Sequence, residues 1–589
     1  MRMRTQQGFW LGSLALAALG LFGFPGAAVR GAELQAGFPV ELAPPDQLES
    51  SGPINIMDLD NDGTLEILQH GLNGTMWVHN HDGTPYTGFS LVSTPQTYVD
   101  GLTQIFMGDL EGDGLPDVVF QGVPTTVLPS THGVRHTALN ADGSIKPGWP
   151  IVPDSGGTTN FYRLADLDGN GSHEVVIFSS VSRRQVFAYY GNGQPVPGWP
   201  VTIPWDTLPF PNNPILYYGG FAVGDVDLDG AAEVLVAVAP YTGGNMDPNQ
   251  AVVINGDGTI REGWPRIIGP TSSHQHHPVV VDLDGRGQAE IVFFGGIGGV
   301  AIFDSSGSLV HELGGQTSWP VVPVSGITYD GNAVGDLEGD GMVEIVATNY
   351  NQLLRIKPVG PLPPMQPDVL QTNLPGYSEW RGISIADFDG DGPAEIAVWS
   401  INYNGVEEAV LHLLDLNLNE RPGFPIHFGT PIVYAGGLQY VTIPADLDGD
   451  GDLELVHAYA THLYAWDIPR TGPGPVRIEW GNYHNDAAGS NDYHSRAPVI
   501  RKFIRGDAAV SGQLDLADVV TVAQHLFLST PHGCPAQLDF DGDDHLNIDD
   551  VFGLVQYLFL AGPPPANNFP NCAPIPIDTD LACEGDHCP

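Results

Sequence analysis

Eight copies of one short acidic loop recur through most of this chain at intervals of roughly fifty to sixty residues, and a fixed period of that length calls for a repeat architecture. The first copy places Asp58, Asp60, Asp62, Gly63 and Glu66 at positions 1, 3, 5, 6 and 9. The later copies offer Asp109, Glu111, Asp113 and Asp117; Asp166, Asp168, Asn170 and Glu174; Asp225, Asp227, Asp229 and Glu233; Asp282, Asp284 and Glu290; Asp336, Glu338, Asp340 and Glu344; Asp387, Asp389, Asp391 and Glu395; and Asp446, Asp448, Asp450 and Glu454. Carboxylates at that spacing around a tight turn supply the oxygen ligands that a hard cation takes, so each loop is a candidate Ca²⁺ site. In the fifth loop Arg286 stands at position 5 and competes with a metal for Asp282 and Asp284.

The same order of elements surrounds every loop. A short apolar segment enters it, and a second leaves directly after the position-9 acid, as in Val175 to Phe178 and Ile396 to Trp399. These β-branched and aromatic runs suit strands covered on both faces. A third segment ends in a turn, for example at Asn192 and Gly193, and a fourth begins at a Gly-aromatic-Pro signature such as Gly148, Trp149 and Pro150. Four strands per repeat make a blade, and blades repeated radially make a β-propeller. The expected fold is thus mainly β, a propeller of seven or eight blades with eight favoured. Gly37, Phe38 and Pro39 precede the first loop and form a spare fourth-strand signature, so the N-terminal strand is expected to complete the last blade. The propeller is expected over 37–487 and a linker over 488–502. Helical spacing follows in 503–562, with Leu516, Val519, Val520, Ala523, Leu526 and Phe527 in one run and Val551, Leu554, Val555, Leu558 and Phe559 in another. The Pro- and Cys-rich tail, 563–589, is expected to be irregular.

Four acids in six loops and three in two place 30 of the 69 acidic residues in the repeats, so much of the formal charge of −48 is directed at metal. Only three lysines occur, Lys146, Lys357 and Lys502, which excludes a basic groove for nucleic acid or anionic lipid. Residues 1–28 have the layout of a secretory signal peptide, with Arg2 and Arg4 ahead of an apolar stretch from Phe9 to Phe24, and no later run spans a membrane. A secreted or surface-associated protein is expected. Cys534, Cys572, Cys583 and Cys588 all lie near the C-terminus, where an oxidising compartment lets them pair in any of three ways.

On these loops the repeat resembles the FG-GAP/VCBS family, which includes the integrin α-subunit propeller and many bacterial exported proteins. The resemblance implies Ca²⁺ held by positions 1, 3, 5 and 9 and the carbonyl at 7. The C-terminal segment resembles a dockerin-like pair of loop–helix units. Its first loop is Asp507, Ala509, Ser511, Asp515 and Asp518, and its second is Asp539, Asp541, Asp543, Asn547 and Asp550. The acid at position 12 opens a helix as in an EF-hand. Ala509 offers no ligand atom, and Asp544 replaces the turn glycine. This resemblance implies a cohesin-like or cell-envelope partner.

A possible ligand face comprises Tyr217, Tyr218, His274, His276, Tyr329, Trp380, Arg381 and Tyr434, all upstream of loops, where first strands of a propeller begin around one channel mouth. The competing expectation is that they pack at blade junctions. His276 and His277 are adjacent and point to opposite faces of a strand, which argues against a joint metal or base role. No nucleophile elbow, zinc-protease helix or phosphate loop is present. The leading expectation is a non-catalytic Ca²⁺ propeller that recognises carbohydrate or protein. The alternatives are a polysaccharide lyase or hydrolase, and a structural adhesin.

Overall fold

The computed structural model describes residues 32–41, 51–71, 76–89, 97–98, 105–124, 135–153, 160–179, 185–203, 215–242, 245–246, 249–269, 277–283, 289–295, 299–313, 327–340, 342–349, 352–357, 368–371, 379–402, 408–428, 442–459, 462–472, 476–481, 486, 490, 492, 499–503, 505–508, 514, 516–528, 535–538, 540, 548–560 and 573–577. Residues 1–28, expected to be a signal peptide, and all four cysteines lie outside them.

Each acidic loop joins the first two strands of its own small antiparallel sheet. Asn160–Ala165, Glu174–Ser179, Gln185–Tyr189 and Val201–Thr202 lie side by side in that order, as do Val279–Val281, Glu290–Gly295, Gly299–Asp304 and Leu309–Leu313. One register is common to all eight hairpins: the residue before position 1 pairs with the position-9 acid, from Met57 with Glu66 through Ala165 with Glu174 to Ala445 with Glu454. The second strands are apolar on both faces because neighbouring sheets cover both, and Val175, Val176, Ile177 and Phe178 are wholly buried. The expected fourth strand is reduced in two sheets. Among the described residues the first has only a bridge between His79 and Pro85, and the second has bridges between Leu139 and Ile145 and between His136 and Ile151.

The Gly-aromatic-Pro signature fastens one sheet to the next. Trp149, Trp199 and Trp264 donate through Nε1 to the carbonyls of Gly191, Gly256 and Ser305 in the following sheet, at 2.7, 2.9 and 3.3 Å. The preceding glycine is required twice over. Gly148 has φ +89°, and a Cβ there would lie 2.0 Å from the carbonyl oxygen of Asn192.

The N-terminal segment joins the last sheet as expected. Glu33–Leu34 and Val40–Glu41 both pair with His462–Ile468, so pairing begins slightly before residue 37. First and last repeats also meet directly: the N–H of Leu65 donates to the carbonyl of Leu447 at 3.4 Å, and one apolar cluster joins Ile54 and Ile67 to Ile443, Leu447 and Val456.

Beyond the last sheet, both the end of the expected propeller range and part of the expected linker meet first strands. Arg477–Trp480 adds to the free edge of Glu379–Asp387, the first strand of the seventh sheet. Trp480 is buried in the same cluster as Val334, Ile385 and Trp380. Further on, the carbonyl of Ser490 accepts from Val223 at 2.9 Å, and Asp492 bridges Val280 and accepts from the N–H of Asp225 at 3.0 Å. Polar residues that look like a spacer are thus strapped along first strands, where exposed edge N–H and C=O groups need partners.

The C-terminal unit has the two expected helices, Leu516–Leu528 and Ile548–Leu560, packed around Val519, Val522, Leu538, Phe540 and Leu554. One expectation fails there. Val499–Phe503, at the junction of the expected linker and helical unit, pairs with Ala573–Ile577 in the tail expected to be irregular. Pro574 and Pro576 are two apart, so their missing N–H groups fall on one outer edge and leave the inner edge free to pair. Among the described residues no helix is long and apolar enough to cross a membrane.

Candidate metal centres

The hairpin register puts position 9 opposite the start of the loop, and a repeated clamp follows. In all eight loops the position-2 N–H donates to Oε2 of the position-9 glutamate, or Oδ2 of Asp117. The pairs are Leu59 with Glu66, Leu110 with Asp117, Leu167 with Glu174, Val226 with Glu233, Leu283 with Glu290, Leu337 with Glu344, Phe388 with Glu395 and Leu447 with Glu454, at 2.8–3.1 Å. One carboxylate oxygen is thereby fixed in every loop.

A second clamp holds position 1. Oδ2 of Asp58, Asp109, Asp166, Asp225, Asp387 and Asp446 accepts the N–H of the position-6 glycine at 2.7–3.2 Å. Position 5 caps the turn, as where Asp62 accepts from Thr64 and Asp229 from Ala231. Position 4 is left-handed throughout the described loops, and there Leu228 stands at φ +57° where most copies have glycine.

Five loops bring three acids to one point, with one oxygen of each within 4.8 Å of the others. They are Asp58, Asp60 and Asp62; Asp166, Asp168 and Glu174; Asp225, Asp227 and Asp229; Asp387, Asp389 and Glu395; and Asp446, Asp448 and Glu454. Burial pushes Glu66 and Glu174 up to about 7 and Glu233, Glu395 and Glu454 up to about 8, with neighbouring aspartates adding to the rise against the lowering hydrogen bond from position 2. Arg261 lies 3.5 Å from Glu233 and Arg421 3.4 Å from Glu395, and at Glu233 burial outweighs the lowering charge of Arg261. Asp387 Oδ1 is buried with no hydrogen-bond partner among the described residues, as suits an oxygen that binds an ion. The donor set is all oxygen and fits Ca²⁺.

Several loops have an internal cation that loop-by-loop reading misses. The residue two places before the signature glycine lies over the loop of its own sheet. Tyr86 donates to Asp60 at 3.3 Å and Gln35 to Asp448 at 3.2 Å, Lys146 lies 2.7 Å from Asp117, Arg261 lies 2.6 Å from Asp227, and Arg421 pairs with Asp389. In the sixth sheet Lys357 and Arg355 reach Glu338 from the third strand, Gln352–Lys357. The signal was a basic residue at a fixed offset from Gly-aromatic-Pro.

Other predicted positions are placed less fully. Of the fifth loop, Asp282 and Glu290 are described, while Asp284 and Arg286 lie outside the described residues. Position 3 of the second loop, Glu111, and positions 3 and 5 of the sixth, Glu338 and Asp340, meet lysines. Asp113, Asn170, Asp391 and Asp450 stand at position 5 as turn residues. In the C-terminal unit Asp507, Asp518 and Asp550 are wholly buried, and Asp550 accepts from the N–H of Phe540 at 2.7 Å. Ser511, Asp515, Asp539, Asp541, Asp543 and Asn547 lie outside the described residues, as do His274, His276 and Tyr434.

Tyr217 and Tyr218, Tyr329, and Arg381 fall on the first strands Ile215–Gly224, Ile327–Gly335 and Glu379–Asp387 respectively. Trp380 corrects the ligand-face expectation. It is wholly buried in the same apolar cluster as Trp480, its ring 5.1 Å from that of His412. His277 is half-buried, its Nδ1 2.7 Å from the Phe221 carbonyl and 3.1 Å from Arg163 Nη2.

With this geometry in view, likeness to known proteins can be stated. The family model described as FG-GAP-like repeat matches residues 53–120 and 225–293. The chain carries FG-GAP-like repeats. Both matched stretches contain acidic loops and the strands of the small antiparallel sheets those loops join. No curated protein matches the sequence. Among solved structures, exotype rhamnogalacturonan lyase YesX is 16% identical with a TM-score of 0.47, over 77% of this chain and 80% of that one. The Bacillus licheniformis rhamnogalacturonan lyase PL11 is 15% identical with a TM-score of 0.40, over 79% and 95%. The V. cholerae biofilm matrix protein Bap1 is 15% identical with a TM-score of 0.33, over 78% and 96%. At such scores no activity carries across.

Proposed function

We propose that this is an exported β-propeller of eight blades, closed into one ring by its N-terminal strand and stiffened by Ca²⁺ in its acidic loops, which recognises a carbohydrate or protein ligand without transforming it. The observation that carries the metal reading is the shared clamp: a buried position-9 acid is fixed in every loop, and in five loops three acids converge. Positions 1, 3, 5 and 9 would hold the ion, which supplies positive charge and ties strand ends together. Binding to the folded state alone adds to folding free energy. The non-catalytic reading is supported by the use of Trp380 and His277 in packing and by the strap along the first strands.

The C-terminal unit serves on this reading as a dockerin-like tether to a cohesin-like or cell-envelope partner. Support comes from its exposed Phe527, Phe552, Phe559 and Leu560, which leave an apolar surface on both helices. The test is to incubate the full mature chain with neutral and acidic polysaccharides in Ca²⁺, assaying retention and new reducing or unsaturated ends. Retention without new ends is expected for a carbohydrate binder. New ends on any polysaccharide would replace this reading with that of a lyase or hydrolase, and no retention on any would leave a protein-binding adhesin.

A further inference from the structure

The Asp109 and Asp336 loops do not gather three acids as five of the other six do, and each holds an ammonium group where an ion would sit. Lys146 Nζ lies 2.7 Å from Asp117 Oδ1, 3.0 Å from Glu111 Oε2 and 3.2 Å from Asn140 Oδ1. Lys357 Nζ lies 2.6 Å from Glu338 Oε2, 2.8 Å from Asp340 Oδ2 and 3.4 Å from Glu344 Oε1. These are oxygens of positions 3 and 9 in one loop and 3, 5 and 9 in the other, the positions that would ligate a metal. An ammonium has three donors and no acceptor, and three partners satisfy it. Lys146 is 1% exposed, so its charge is committed to that site.

The sequence supports the same division independently. The chain has three lysines, and two of them are these. Position 3 is glutamate in these two loops alone, while the other six have Asp60, Asp168, Asp227, Asp284, Asp389 and Asp448. The longer glutamate arm reaches outward to meet a side chain arriving from another strand. Lys146 arrives from just before Gly148, and Lys357 from the end of the third strand, so the same replacement is reached by two routes.

We infer that Lys146 and Lys357 are built-in substitutes for the metal, so that the Asp109 and Asp336 loops are held by their own ammonium groups and take no Ca²⁺. This rests on the reading that the open loops bind Ca²⁺. A divalent ion entering either site would have to expel a lysine already paired with the same oxygens, and like charges at that separation repel strongly.

Hydrogen exchange read by mass spectrometry on the full chain, in Ca²⁺ and in EDTA, tests this without any variant. Peptides spanning the Asp58, Asp166 and Asp446 loops should lose at least tenfold in protection on chelation, and those spanning the Asp109 and Asp336 loops should change less than twofold. Equal loss in all five would overturn the inference. No loss in any would overturn the Ca²⁺ reading beneath it and the inference with it. As a second measurement, Lys357→Gln should raise the Ca²⁺ bound per chain by one over the unsubstituted protein. An unchanged count beside a nonzero count in the unsubstituted protein would overturn the inference alone.

Discussion

The Asp58 and Asp336 loops have the same hairpin register and the same clamp from position 2 to position 9, yet they neutralise their carboxylates differently. In the first, three aspartates face one another and burial lifts Glu66 to about 7. In the second, hydrogen bonds from Lys357 hold Glu338 and Asp340 below their ordinary values. Burial alone would lower Lys357 itself, but its bonds to Asp340 and Glu338 and the charge of Glu344 outweigh that and raise it. The comparison separates two tasks that the loop motif combines. Backbone geometry is set by the clamps and is independent of the cation, whereas the charge that makes the geometry stable is supplied either from solution or from the chain.

The largest effect expected from this contrast comes from removing an internal cation. Lys146→Met leaves Asp117 and Glu111 facing each other, and losing one partner of a buried pair should cost about 3–5 kcal/mol in EDTA by urea unfolding. Much of that should return in Ca²⁺ if the emptied site takes the ion. A loss that Ca²⁺ leaves untouched would break the equivalence between lysine and metal.

Next in size is a pH effect confined to the metal-free chain. Glu66, Glu174, Glu233, Glu395 and Glu454 titrate at about 7 to 8 when folded against an ordinary 4.5, so between these values the folded chain binds protons that the unfolded chain has released. Stability in EDTA should therefore fall as pH rises from 5 to 8, by at most about 1.4 kcal/mol per pH unit for each such glutamate. Urea midpoints at the two pH values check the sign. With Ca²⁺ present the fall should vanish or reverse.

The smallest effect concerns the one leucine in the left-handed position 4. Leu228→Gly relieves a conformation that costs a non-glycine residue about 1–2 kcal/mol, offset in part by glycine's greater unfolded-state freedom. A gain of up to about 1 kcal/mol is expected. No gain would indicate that Leu228, 40% exposed, is held there by contacts that compensate for the strain.

Much of this molecule was legible because it repeats. Eight loops in register, the β-branched strands after them, the N-terminal closing strand and the two C-terminal helices all follow from periodicity. What escaped has no period. Lys146 stands two places before a signature glycine, an offset outside the loop motif, and Lys357 reaches its loop from the third strand, where only pairing in space connects it. Arg477–Trp480, Ser490 and Asp492 are short pieces whose pairing comes from the free edges they meet rather than from a pattern of their own. The pairing of Val499–Phe503 with Ala573–Ile577 spans some seventy residues, beyond what local reading can join. Trp380 looked like a ligand platform because aromatic residues serve as surface anchors and as core equally well.

Apart from Trp10, every tryptophan lies between Trp77 and Trp480, so intrinsic fluorescence reports on the repeats without the C-terminal unit. The decisive measurement is thermal unfolding of the full mature chain by that signal, in Ca²⁺ and in EDTA. The account predicts a Tm that rises with Ca²⁺ concentration and falls by many degrees on chelation, since ions that bind only the folded state stabilise it by mass action. Identical transitions in the two buffers would contradict it.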